Sequence, residues 1–272
     1  MTGPDSSTPW WIDSHAHLTM FEPAEIGDLL DRASEAGVRG VMVPATNGED
    51  LDRALELAEQ WPGRIVAAAG VHPHDASSLD GGMKLRVERA MSAPGVVAVG
   101  EIGLDYHYMN SPREDQIRAL EWQLGLALEL DRPVILHNRE SWPDMEPLLD
   151  SRAPVLRGVC HSFAEGPEEA LRVVEMGLFV GLSGMVTFKQ AHNIREMAAV
   201  LGPASVMVET DSPFLAPVPH RGRRNEPAYV VEVGNTLAEN WGRAVDEIST
   251  ATTVNFRLLF GLGDDWPDDA SR

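Results

Sequence analysis

Four histidines and two acids share a position in this chain: each falls at or just past the end of a short apolar run. His15 and His17 follow the run in "WWIDSHAH", Glu101 ends "VAVGE", His137 ends "VILH", His161 ends "GVCH" and Asp211 ends "VMVETD". Imidazole and carboxylate without thiolate suit Zn²⁺ or Mn²⁺, and Mg²⁺ less well. A lone histidine at a strand end is ordinarily a hydrogen-bonded loop residue. Six ionisable groups at equivalent positions are harder to explain, because without a cation they would repel one another or resist burial. Six ligands exceed one tetrahedral shell and fit two neighbouring ions that share a carboxylate. Two dications held by two carboxylates leave a locally positive site, able to attract a phosphate even on an acidic protein.

Residues two apart on a strand share a face. Asp13 has the parity of His15, and Glu209 that of Asp211. Both acids are expected one layer below the ligands, each orienting an imidazole through its second nitrogen. The competing reading is a buried acid satisfied by backbone or water.

The runs that carry these residues are Trp10–His15, Gly40–Ala45, Ile65–Val71, Val96–Ile102, Pro133–His137, Arg157–His161, Leu178–Leu182 and Val206–Glu209. Helical patterns separate them. In "SPREDQIRALEWQLGLALELDRP", Ser111 is expected to cap, Pro112 suits the first turn and Glu114 completes a capping box. Ile117, Leu120, Leu124 and Leu128 then share one face, and Pro133 ends the segment. Eight strands alternating with helices predict an α/β fold, a single closed (β/α)8 TIM barrel. An open doubly wound sheet is the alternative. In the barrel all the C-terminal strand ends open onto one mouth. The expected organisation is a short polar segment over 1–9, the barrel over 10–262 and an acidic tail over 263–272, with "DDWPDD" as a frayed terminus.

The chain has 272 residues, 43% of them hydrophobic, and a net charge of −20 from 42 acids and 22 bases. That balance argues against a broad nucleic-acid footprint, which shows as a basic face. It leaves room for a local phosphate site. No apolar run approaches the length of a membrane span. The polar start lacks the pattern of a secretion signal. The single cysteine, Cys160, fits a reducing compartment. A cytoplasmic monomer with no obligate protein partner is expected.

The motifs "DSHAHL", "GVHPH", "VGEIGLDYH", "SPREDQ", "ILHNRE", "CHSF", "ETDSPFLAP" and "PHRGRRNEP", in this order, resemble the TatD-type metal-dependent deoxyribonuclease family, a branch of the amidohydrolase-like barrels. The resemblance runs from about Trp11 to Phe260, with every ligand position filled. It implies His15 and His17 on one metal, Glu101 bridging, His137 and His161 on the second, and Asp211 completing the first. It also implies two divalent ions (Mg²⁺, Mn²⁺ or Zn²⁺) and exonuclease action on DNA or another phosphodiester, expected to run 3′ to 5′. Asp211 is the expected general base. The acidic surface favours single-stranded ends over long duplex.

Further residues have candidate roles. Arg221 and Arg223, in the densest basic stretch, could grip phosphate or pair with nearby acids. Arg139 has the same two readings. His72 is expected to bond a substrate oxygen, and His74 to be a loop residue. Tyr106 and Tyr108 could stack on a base or pack on the barrel rim. The competing functions are an amidohydrolase- or lactonase-type enzyme on the same barrel and a non-catalytic binding protein. Glu101 stands where relatives with the former chemistry often carry a carboxylated lysine.

Overall fold

The computed structural model describes residues 9–267. Eight strands alternate with helices: β1 (Trp11–Asp13), β2 (Val38–Pro44), β3 (Ile65–Ala69), β4 (Val96–Asp105), β5 (Val134–Arg139), β6 (Gly158–Cys160), β7 (Phe179–Leu182) and β8 (Val206–Val208). The helices are α1 (Ile26–Glu35), α2 (Gly48–Gln60), α3 (Gly81–Ala90), α4 (Arg113–Glu129), α5 (Trp142–Asp150), α6 (Pro167–Glu175), α7 (His192–Leu201), α8 (Val230–Trp241) and α9 (Val245–Phe260). The strands pair in chain order, all parallel. Backbone bonds just beyond the strands join β8 to β1. Ser14 N–H donates to the Val208 carbonyl, Asp211 N–H to that of His15, and His17 N–H to that of Ser212. Ala16 and Ser212 form a parallel bridge. With its edges joined in this way the sheet is a (β/α)8 barrel, not an open doubly wound sheet.

Period two divides each strand between two cores. On β2 and β3, Met42, Val66 and Ala68 fill the barrel interior. Their neighbours Val41, Val43, Ile65, Ala67 and Ala69 pack in the larger core, with the helices. Phe256, Leu259 and Phe260 of α9 join the interior cluster, with Trp266 packed against it. Trp266 stacks on Phe256 at 5.6 Å. This part of "DDWPDD" is therefore docked, not frayed; its residues past Pro267 lie outside the described residues.

The predicted cap of α4 is corrected. The helix begins at Arg113 with Pro112 before it and no side-chain cap. Ser111 instead donates to the His74 carbonyl at 2.8 Å and accepts from Ser77 N–H at 3.1 Å, fastening two loops together. The expected apolar face holds, with Leu120 and Leu124 buried in the core and Ile117 and Leu128 packed against it, and Gln116 is buried beside it. Its buried amide bonds the Asp105 N–H and carbonyl and the Ser111 carbonyl. Among the described residues, no helix is long and apolar enough to cross a membrane.

Trp11, on the outward face of β1, fills its space by lying directly on Gly234 of α8, where any Cβ would collide with the ring. Gly234→Ala is expected to destabilise the fold by about 1–3 kcal/mol through overpacking. A urea unfolding midpoint equal to the parent's would show instead that α8 can shift away without cost.

Candidate active site

The six residues singled out by the sequence converge at the mouth of the barrel. His15 and His17 follow β1, His161 follows β6, Asp211 lies three residues past β8, and His137 lies within β5. Glu101 lies within β4 where the register breaks: Val99 pairs with Val134, but Ile102 pairs with Leu136. The extra β4 residue is a bulge, a device that re-aims side chains beside functional sites. Asp211 has a left-handed backbone, φ 57°, a costly conformation for a non-glycine residue that is enriched at such sites.

Glu101 divides its two oxygens between two groups of donors. Oε2 lies 3.4 Å from His15 Nε2 and 3.6 Å from His17 Nε2. Asp211 Oδ1 lies 3.4 Å from the same His17 nitrogen. The other oxygen, Oε1, lies 2.9 Å from His161 Nε2 and 3.0 Å from His137 Nδ1. Glu101 Oε2 and Asp211 Oδ1 are buried and accept no hydrogen bond. Buried carboxylate oxygens rarely go without a partner, and a cation among these donors would satisfy both. Imidazole nitrogens and carboxylate oxygens at this spacing fit a divalent metal centre.

The electrostatics keep the acids ionised. Burial alone would raise the Glu101 carboxyl, but His161, His72, His15 and a hydrogen bond from His137 hold it well below its ordinary value. Burial is likewise outweighed at Asp211, chiefly by His17, and its pKa is lowered. Burial drives His72 well below the usual imidazole range. That ring is neutral, and its tautomer is set by its contacts. Nδ1 accepts from His74 N–H at 3.1 Å, so the proton sits on Nε2, 3.5 Å from Glu101 Oε1. In this tautomer Nε2 donates a hydrogen bond and has no lone pair for a metal.

The second ring nitrogens separate the expected supports. His161 Nδ1 lies 3.3 Å from Glu209 Oε1, within ion-pair reach though out of line for a hydrogen bond. Asp13 does not face an imidazole. It accepts from Thr210 N–H at 2.8 Å, Thr210 Oγ1 at 2.5 Å and His15 N–H at 3.3 Å. The expected parity fails because β1 ends at Asp13 and the chain beyond it is no longer extended. Asp13 thus binds β8 to β1, and burial pushes its carboxyl up to about 8 despite these bonds.

Sequence reasoning missed Asp105. Its Oδ2 accepts from His137 Nε2 at 3.2 Å and from His74 Nε2 at 3.0 Å. Its Oδ1 accepts from His107 and Tyr108 N–H at 3.0 and 2.9 Å. One carboxylate therefore fixes the ring of His137 through Nε2, so that Nδ1, which faces Glu101 Oε1, would be the atom turned to a metal, and it anchors the rim loop. The available signal was parity: Asp105 is four residues past Glu101, on a strand that continues beyond Gly103.

Above the cluster opens a cavity of about 910 Å³. Among the described residues that line it, Arg139 is the only lysine or arginine. Its guanidinium lies 4.7 Å over the Tyr108 ring. Arg221 and Arg223 do not line the cavity. Arg221 sits 3.8 Å over Phe188 and donates to the Ala216 carbonyl. Arg224 pairs with Glu25. Tyr106 bonds Asp144, away from the cavity.

A closed barrel with a His/Glu/Asp cluster at the C-terminal ends of its strands is the architecture of a metal-dependent hydrolase. The family described as TatD related DNase matches residues 12–261, and the chain belongs to that family. It is 34% identical over 253 residues to the uncharacterized metal-dependent hydrolase YabD of Bacillus subtilis, covering 92% of this chain and 99% of that protein. It is 36% identical over 240 residues to a 3′-5′ ssDNA/RNA exonuclease TatD of Pantoea vagans, covering 86% and 92%. The crystal structure of YjjV, a TatD homologue from Escherichia coli K12, superposes with a TM-score of 0.87 at 34% identity, covering 93% of this chain and 98% of that one.

Asp105→Asn would turn an amide N–H₂ towards two ring N–H groups. Metal affinity is expected to fall about 10- to 100-fold, as when other outer-shell partners of ligand histidines are lost. Equilibrium dialysis against Mn²⁺ or Zn²⁺ measures it, and an unchanged affinity would remove Asp105 from the centre.

Proposed function

We propose that this hydrolase cleaves the phosphodiester bonds of DNA, trimming single-stranded ends from 3′ to 5′ with two divalent cations. The observation that carries the reading is Glu101, whose two oxygens face two separate donor groups. His15, His17 and Asp211 would hold one ion with Oε2, and His137 and His161 the other with Oε1. A bound pair of this kind polarises the phosphoryl oxygen and lowers the pKa of the attacking water. Zn²⁺, Mn²⁺ and Mg²⁺ are the candidate ions. The exonuclease named among the relatives supports the polarity and the single-stranded substrate.

The chain's own groups do the rest. The ionised carboxylate of Asp211 accepts the nucleophile's proton as general base. His72 Nε2–H donates to a phosphoryl oxygen. Arg139 grips a neighbouring phosphate with its fork of donors, steadied by the face of Tyr108. Asp50, Asp75, Glu140 and Glu165 also line the cavity. They oppose a long run of phosphates, so binding is confined to a few nucleotides at an end.

An end-labelled single strand incubated with Mn²⁺ should give a ladder of successively shorter products. Chelation should abolish it, and closed circular duplex should resist. Hydrolysis of a lactone without any phosphodiester cleavage would overturn the reading. Asp211→Asn is expected to lose about 10²- to 10⁴-fold in kcat, and a loss under tenfold would remove it as the base.

A further inference from the structure

The cavity above the metal cluster is divided by chemistry. The loops after β2 to β6 supply it mostly with polar and charged groups. The loops after β7, β8 and β1 supply Met185, Phe214, Leu215 and Met20. Phe214 leaves 49% of its surface in solvent and Met20 56%. Phe214 lies beside the ligands, its ring centroid 6.1 Å from that of His17.

The backbone that presents Phe214 is clamped. Phe214 N–H donates to the Asp211 carbonyl at 2.9 Å. The buried Asn225 side chain donates to the Phe214 carbonyl at 2.5 Å and to the Thr210 carbonyl at 2.9 Å. Leu215 is left-handed, φ 53°, and Gly184 approaches its carbonyl so closely that any Cβ would collide. The same short turn therefore carries the ligand Asp211 and holds an aromatic ring at the mouth. Burying that ring would stabilise the fold, yet the turn keeps it half in water.

We propose that Phe214, flanked by Met20, Met185 and Leu215, is the platform on which the terminal base of a single-stranded nucleic acid stacks. The inference rests on the nuclease reading above. A phenyl ring offers no hydrogen-bonding group, so all four bases are accepted and recognition is by the π-face alone. Arg139, across the cavity, is left for the backbone. The terminal base on one wall and a phosphate on the other place the last phosphodiester over the metal cluster.

The test compares wild type, Phe214→Ala, Phe214→Leu and Phe214→Trp on two end-labelled single strands. One has an ordinary terminal nucleotide and the other an abasic one. On the ordinary strand Phe214→Ala should lose about 5- to 150-fold in kcat/KM, the range of base–aromatic stacking. Phe214→Leu should lose part of this, and Phe214→Trp should retain activity. On the abasic strand all four proteins should agree within about twofold, by the logic of a double-mutant cycle. A terminal 2-aminopurine should be quenched on binding to wild type and not to Phe214→Ala. Equal losses on both strands, or no loss on either, would overturn the platform while leaving the nuclease reading intact. Wild-type protein that trims neither strand would take down both.

Discussion

An ionised carboxylate buried at the mouth of a barrel is costly to maintain, and Glu101 is such a group. Taking a carboxylate out of water is unfavourable by several kcal/mol unless opposite charge or strong donors surround it. Here the imidazoles of His15, His17, His72, His137 and His161 crowd around its two oxygens. The arrangement holds only if strands distant in sequence deliver their ends to one point. Closure of β8 on β1 is therefore part of the site as well as of the fold, because it brings Asp211 within 3.4 Å of His17, 194 residues away in sequence.

Beneath and beside the donors lies a set of buried polar struts. Asp13 bonds Thr210, Gln116 bonds Asp105, Ser111 bonds the loop after β3, and Glu209 faces His161. Low local dielectric makes such networks strong when complete and expensive when broken. Asp105 has the most consequences, since one side chain fixes the ring of His137 and the rim that carries Tyr108. The donor cluster and the mouth are thus joined through one carboxylate.

The mouth is asymmetric, and the proposed action on strand ends draws on that asymmetry. Acidic residues ring the polar side and a single arginine interrupts them. The opposite side is apolar. A long polyanion meets repulsion along such a surface, whereas a terminal nucleotide presents one apolar face and few charges.

The strands and the six principal donors were legible in the sequence by itself, because both follow short-range rules. Apolar runs of strand length, separated by helical period, marked all eight strands to within a few residues. A histidine or acid at each critical end marked the centre. What only the tertiary structure decided depended on approach between distant segments. Parity placed Asp13 with His15, but the strand ends at Asp13 and Thr210 claims it. The "PHRGRRNEP" stretch was open to two readings, a phosphate grip or pairing with nearby acids; Arg224 pairs with Glu25, Arg221 lies over Phe188, and Arg139 is the arginine that faces the cavity. Ser111 read as a helix cap and proved to be a loop fastener. Asp105 had no motif of its own and acquired its role from His137 and His74. Periodicity is a property of one segment, whereas a hydrogen-bond partner or an open cavity wall belongs to several segments at once, and only the closed barrel chooses among them.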